Sequence, residues 1–305
     1  MKAKALRLYG KEDLRLDEYE LPEIRDDEIL ARVVSDSICM SSYKAAMQGE
    51  DHKRVPENIK EHPVIIGHEF CGDLVKVGSK WAHEFKEGEK FSIQPALNYK
   101  GSLAAPGYSY EYIGGDATYI IIPNEVMEMG CLLHFDSDNF FGGSLTEPLS
   151  CVAGTFHAMY HATRGKYEHD MGIKEGGKMA ILAGVGPMGL AAIDYITHCD
   201  RCPSLLVVTD IDDARLTRAA QVLPPEEAAK KGIKLVYANT GKVEDAHKFM
   251  MDFTDGEGFN DVLVFAPVAP VVELADSILA QDGCLNFFAG PSNPAFSAPL
   301  NFYNV

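Results

Sequence analysis

Positive charge is what the chain is short of. Its 28 lysines and arginines face 45 aspartates and glutamates, a formal net charge of −17. Such a chain repels polyanions, which excludes nucleic acid and anionic membrane surfaces as partners. A membrane-spanning run is also lacking. The most apolar stretch, MAILAGVGPMGLAAI, is too short to cross a bilayer and is interrupted by glycines and a proline. The first residues, MKAKALRLYGKEDLRL, alternate polar and apolar side chains and read as a strand rather than a signal peptide. Cysteine is sparse and scattered. Seven of them, an odd number, make no disulfide framework, so a reduced cytoplasmic protein is expected. The only C-x-x-C, Cys199 and Cys202, has no second pair and reads as structural. Internal repeats and low-complexity segments are absent.

With 305 residues, 46% of them hydrophobic, the chain can bury a sizeable core and predicts two domains. Residues 1–155 read as mostly β: short apolar runs such as EILARVVS, EKFSIQPAL and ATYIIIP alternate with charged turns, the pattern of a small barrel. Residues 156–305 change rhythm. KMAILAG, SLLVVTD, IKLVYAN and DVLVFAP are continuous apolar strands separated by helical stretches, which predicts a doubly wound parallel sheet covered on both faces. A helix near 145–162 is expected to link the halves.

Gly184, Gly186 and Gly189 form G-x-G-x-x-G between an apolar strand and an amphipathic helix. The first glycine permits the tight turn, the second lets backbone approach a pyrophosphate, and the third lets helix pack on strand. Pro187 and Met188 open the helix, whose N-terminus favours phosphate. Asp210 ends the next strand, where a carboxylate accepts hydrogen bonds from the ribose hydroxyls and repels a 2′-phosphate. NAD is therefore expected, with NADP the alternative. Asp212 and Asp213 add to that bias, and Arg215 subtracts from it.

The stretch HPVIIGHEF places His68 and Glu69 side by side at the end of an apolar strand, a costly position unless something binds them. Cys39 follows the strand-like ARVVS, and Glu147 sits in SLTEPLSC at the start of the linking helix. A thiolate, an imidazole and one or two carboxylates suit a catalytic zinc site with an open position for substrate.

These pieces resemble the zinc-dependent medium-chain dehydrogenase/reductase family. The resemblance rests on GHEFCGDLVKVG, SDSICMSS, GGDATYIIIP, EPLSC and GVGPMG, which follow one another along nearly the whole chain. It implies an α/β two-domain fold, a GroES-like β-barrel catalytic domain followed by a Rossmann domain. Cys39 and His68 then look like zinc ligands, with Glu147 at or near the metal. Glu69 looks like the acid that ligates or moves in during turnover, and Ser41 like the hydroxyl that handles the substrate proton. Ser42 stands where many relatives carry an aspartate, and Lys44 lies where alcohol dehydrogenases place a relay histidine. Residues 95–112 contain no cysteine, so the structural-zinc lobe of some relatives is missing and one zinc per chain is expected. The chain is most similar to the L-sorbose 1-phosphate reductase group, through ALRLYGKEDLRL, DDEILARVVSDS and DGCLNFFAGP among other segments.

That resemblance implies a hydride transfer between a nicotinamide cofactor and a ketose phosphate/hexitol phosphate pair, most simply L-sorbose 1-phosphate to D-glucitol 6-phosphate. A substrate phosphate needs a cation, and Lys44, Lys53 and Arg54 are the candidates nearest the metal motifs in sequence. Two alternatives stay open. One is a zinc polyol dehydrogenase acting on unphosphorylated sugar alcohols. The other is a non-catalytic NAD-binding homologue, because family members continue through a sixth strand and this sequence stops at FSAPLNFYNV. A homo-oligomer, dimer or tetramer, is also implied.

Overall fold

In the computed structural model, which describes residues 1–163, 165–293 and 295–303, period-two patterning folds the first segment into an antiparallel hairpin. Its strands are β1 (Lys2–Gly10) and β2 (Asp13–Glu20), with Leu6 opposite Leu16. There follow β3 (Ile29–Asp36), α1 (Met40–Gln48), β4 (Val64–Ile65), β5 (Phe70–Val77), β6 (Lys90–Ile93), β7 (Tyr119–Ile122), α2 (Asn124–Glu128), β8 (Leu132–His134) and α3 (Phe140–Ser144). Two sheets result, ordered β2-β1-β4 and β7-β3-β5-β6-β8. The alternate apolar residues of the second sheet, among them Ile29, Ala31, Phe70, Leu74, Phe91 and Ile120, point into one core. Phe70 and Phe91 meet there edge to face, with centroids 6.1 Å apart.

The chain divides into two units, Met1–Pro148 and Leu149–Val305, and α4 (Thr146–Ala158) runs through the division. In the second unit β9 (Tyr160–Ala162) and β10 (His169–Met171) form a small hairpin. Strands and helices then alternate: β11 (Lys178–Leu182), α5 (Pro187–Ile196), β12 (Leu205–Asp210), α6 (Asp213–Val222), α7 (Pro225–Ala229), β13 (Lys234–Asn239), α8 (Ala246–Asp252), β14 (Phe259–Val264), α9 (Ala269–Ser277) and β15 (Leu279–Phe287). Five of these strands pair in parallel in the order β13-β12-β11-β14-β15.

The continuous apolar runs have a direct cause. Met179, Ile181, Leu206 and Val208 pack against α5 and α6 on one face, while Ala180, Leu182 and Val207 pack against α8 and α9 on the other. A strand buried on both faces cannot alternate with polar residues. No described helix is long and apolar enough to cross a membrane.

Candidate active site

Strand pairing assembles the first cluster. β3 and β5 are antiparallel, with Asp36 opposite Phe70. The segment SDSIC therefore leaves β3 where GHE runs into β5. His68 and Glu69 precede a strand rather than end one, a correction to the sequence reading: β4 stops at Ile65, and Gly67 turns the chain with a φ of +87°. That left-handed conformation favours glycine, and a Cβ there would also overlap the Asp36 carboxylate. Cys39 is the N-cap of α1 and its Sγ accepts from the Ser41 N–H at 3.4 Å. One donor atom each from Cys39, His68 and Glu69 lies within 4.8 Å of the others. His68 and Glu69 are each only 5% exposed, so the expense noted in the sequence is real.

A second ring of groups holds these side chains in place. The Ser37 hydroxyl donates to Glu69 Oε2, and the Glu69 N–H donates to Asp36 Oδ1 at 3.1 Å. Burial and the neighbouring Asp116 carboxylate push Asp36 up to about 8, so that near neutrality it is largely protonated. His68 Nδ1 lies 3.3 Å from Ser42 Oγ, while its Nε2 lies 3.9 Å from Glu69 Oε1. Ser42, the departure from the family's aspartate, thus supplies the partner that orients the imidazole. Burial, and then the charge of Arg54, hold His68 down at about 4, so the ring is neutral at physiological pH. Burial raises the Cys39 thiol, helped by the Glu69 charge. A neutral imidazole, a thiol that ionises when a cation arrives, and a braced carboxylate form a donor set that fits zinc. Glu147, in the first turn of α4, is outside this three-residue group, although its charge is felt at the Tyr108 phenol.

Tyr108 is the residue that the sequence did not single out. Gly107 has a φ of +78°, and a Cβ on it would overlap the Gly67 carbonyl, so two glycines let the loop press against the turn. Tyr108 is thereby brought down on His68, with its hydroxyl 3.2 Å from Nε2. Burial raises the phenol well above its usual range, with the Ser41 side chain acting the other way. On the ring, His52 stacks at 5.6 Å and the Arg54 guanidinium sits 5.8 Å from the centroid. The candidate phosphate residues therefore separate. Arg54 lies over the Tyr108 ring, Lys44 is half-buried and Lys53 is exposed, while the charges of Lys53, Arg54 and Lys44 are all felt at His52.

The second unit holds the other candidate site. Gly186 is the N-cap of α5 and Pro187 its first residue. A Cβ on Gly189 would overlap the Gly184 carbonyl, so the helix packs on the turn as the motif requires. A cavity of about 580 Å³ opens here, lined by Gly186, Pro187, Met188, Gly189, Asp210 and Arg215 among others. Asp210 is 7% exposed, and its Oδ1 accepts the Ile211 and Asp212 N–H groups at 2.8 and 3.1 Å, which fixes the carboxylate at the cavity wall. Arg215 Nη2 lies 3.5 Å from where a Cβ on Gly186 would stand, so the guanidinium is at the phosphate turn. Asp212 and Asp213 are engaged elsewhere. Asp212 caps α6, and Asp213 pairs with Lys242 and Asn239.

Residues 25–129 match the alcohol dehydrogenase GroES-like domain. Over 301 residues the chain is 51% identical to L-sorbose 1-phosphate reductase of Klebsiella pneumoniae, covering 99% of this chain and 72% of that protein. It is 50% identical over 296 residues to mannitol-1-phosphate 5-dehydrogenase of Aliivibrio fischeri, covering 97% and 70%. Among solved structures, a zinc-binding dehydrogenase from Sinorhizobium meliloti 1021, so named provisionally and bound to NADP, superposes with a TM-score of 0.76. That match covers 100% of this chain and 81% of the other at 19% identity, and so speaks to fold alone. The chain belongs to the zinc-dependent medium-chain dehydrogenase/reductase family and is an oxidoreductase.

Proposed function

We propose that the protein interconverts a ketose phosphate and a hexitol phosphate with a nicotinamide cofactor, L-sorbose 1-phosphate and D-glucitol 6-phosphate being the pair that fits best. The observation that carries this reading is the metal-suited group of Cys39, His68 and Glu69 with an arginine, Arg54, close enough to depress the His68 imidazole. Two relatives at about half identity are both named for sugar phosphates.

Cys39, His68 and Glu69 would hold zinc, with Glu147 as a further carboxylate. Bound there, zinc supplies a Lewis acid for the substrate carbonyl oxygen. A reduced nicotinamide cofactor, its pyrophosphate held at the Gly184–Gly189 turn, would supply the hydride. The chain's own residues do the rest. Ser42 keeps His68 Nδ1 occupied, so that Nε2 is the nitrogen left to ligate. Ser37 and Asp36 hold Glu69 where it can ligate or exchange. Ser41, beside Cys39, delivers the proton that turns the reduced carbonyl into a hydroxyl. Arg54 spends one of its five donors on the Leu103 carbonyl at 2.9 Å, which anchors the guanidinium for a phosphate. Lys44 adds charge nearby.

The test is NADH oxidation by the zinc-loaded protein, with L-sorbose 1-phosphate and L-sorbose at equal concentration. Faster turnover of the phosphate is expected. Arg54→Ala should raise the KM for the phosphate by roughly 10- to 100-fold, the worth of a charged hydrogen bond, and Lys53→Ala should leave it nearly unchanged. Equal rates with the two sugars would instead favour a dehydrogenase of free polyols.

The cofactor reading is NAD, from the Asp210 carboxylate at the cavity wall. Asp210→Ser should shift the ratio of kcat/KM toward NADPH by roughly 10- to 100-fold, because a carboxylate no longer faces the 2′-phosphate. An unchanged ratio would remove Asp210 from cofactor selection. A cytoplasmic setting accords with seven free cysteines. A homo-oligomer is in keeping with β15, which forms one edge of the five-stranded sheet.

A further inference from the structure

Tyr108 holds a position that the reading above leaves without a role. Its ring is 6% exposed and packs with Val55, Ile66 and Ala105, so it cannot swing away. Its hydroxyl is 3.2 Å from His68 Nε2, the nitrogen nearest Glu69 Oε1. A neutral imidazole nitrogen has one lone pair, and a metal that takes it leaves the tyrosine no acceptor on His68. The hydroxyl is then a released donor beside the metal-suited group. The ring of the same residue lies under Arg54, 5.8 Å from ring centroid to guanidinium carbon. One rigid side chain therefore neighbours both the metal-suited group, through its hydroxyl, and the cation that suits a phosphate, through its ring face.

We propose that Tyr108 is a substrate-positioning residue. Its hydroxyl is handed from His68 to a hydroxyl oxygen of the sugar chain when metal is bound, and it sets the spacing between the reacting carbonyl and a terminal phosphate held at Arg54. This rests on the zinc and sugar-phosphate reading. No bond is broken in the handover: one hydrogen bond is exchanged for another.

Tyr108→Phe keeps the ring, its stack on His52 and its buried contacts while removing only the hydroxyl, so folding is expected to survive. Two measurements separate the proposal from the reading it rests on. Zinc titration against a chromophoric chelator reports on the metal without any turnover. The variant should bind zinc as tightly as the wild type or up to roughly tenfold tighter, since no hydrogen bond has to be given up. The near-ultraviolet tyrosine difference signal that zinc produces in the wild type should be lost. With L-sorbose 1-phosphate the KM should rise by roughly tenfold, with kcat changed much less. Weaker zinc binding by the variant, an intact zinc-induced tyrosine signal, or an unchanged KM would each overturn the proposal. A wild-type protein that takes up no zinc would overturn both it and the reading beneath it. If zinc binds but no sugar phosphate turns over, the functional reading falls, and the titration and the tyrosine signal decide whether the hydroxyl is released.

Discussion

Replacing His68 by alanine is expected to strip zinc from the protein and to lower turnover at least about a thousandfold. The size follows from what is lost. A Lewis acid at a carbonyl oxygen is worth several kcal/mol of barrier, and each 1.36 kcal/mol is about a factor of ten in rate. His68 is the donor with the least substitutable surroundings. Its Nδ1 is held by Ser42, its ring is tilted against Tyr108 at 4.8 Å, and the Gly67 turn that aims it tolerates no side chain. A water filling the space left by the imidazole would lack all three constraints. Burial and the Arg54 charge also keep this histidine neutral, so at neutral pH it gives up no proton when metal binds, whereas the raised Cys39 thiol does. Metal content after dialysis, read by elemental analysis together with the rate, checks the prediction. A His68→Ala protein that kept stoichiometric zinc and full turnover would place the reaction elsewhere in the molecule.

What could be read from the sequence was what is local or periodic. The runs KMAIL, LLVVTD and DVLV are strands in the parallel sheet because residues covered on both faces must be apolar along their whole length. The turn from Gly184 to Gly189 was legible because its glycines answer to backbone contacts within the same few residues. The proximity of Cys39 to His68 and Glu69 is implied by the motifs, and its physical cause, the antiparallel pairing that sets Asp36 opposite Phe70, has no local signal. Tyr108 was illegible for a similar reason. It meets His68 across forty residues of chain, through two loops whose glycines approach each other, and one tyrosine among several in GYSYEY carries no mark of that contact. Lys53 and Arg54 are neighbours in sequence with opposite fates, since a loop residue's direction depends on backbone turns that composition does not encode. Asp212 and Asp213, acids close to a ribose site in sequence, take partners that composition does not encode: one caps a helix and the other pairs with a lysine.

The second large effect involves residues outside both candidate sites' residue sets. Asp261→Ala should cost the protein about 3–5 kcal/mol of stability, the usual penalty for breaking a buried ion pair from one side. Asp261, in β14, is 1% exposed, and His161, in β9, is 4% exposed. Asp261 Oδ1 is 2.9 Å from His161 Nε2, and Oδ2 accepts the Lys174 N–H at 2.9 Å. The other imidazole nitrogen, Nδ1, faces the Asp282 carbonyl at 3.4 Å. Acceptors on both sides of the ring suit an imidazolium. The hydrogen bond to Asp261 raises His161 above its ordinary value, against burial and the Lys174 charge. A histidine raised in the folded state contributes stability that is fully present below its unfolded value, about 6.5, and is lost as the pH climbs through the folded value. The wild type should therefore lose this contribution as the pH rises beyond about 6.5. Asp261→Asn makes the contrast. Its amide oxygen can still accept from Lys174 and its NH₂ can donate to a neutral His161 Nε2, so the hydrogen bonds survive while the charge does not. That variant should be less stable than the wild type at pH 6, and the two should converge as the pH rises. Chemical unfolding of both proteins across pH 6 to 9 reads the difference directly. A gap that stays constant over that range would mean that His161 is neutral throughout and that the pair is held by hydrogen bonding alone.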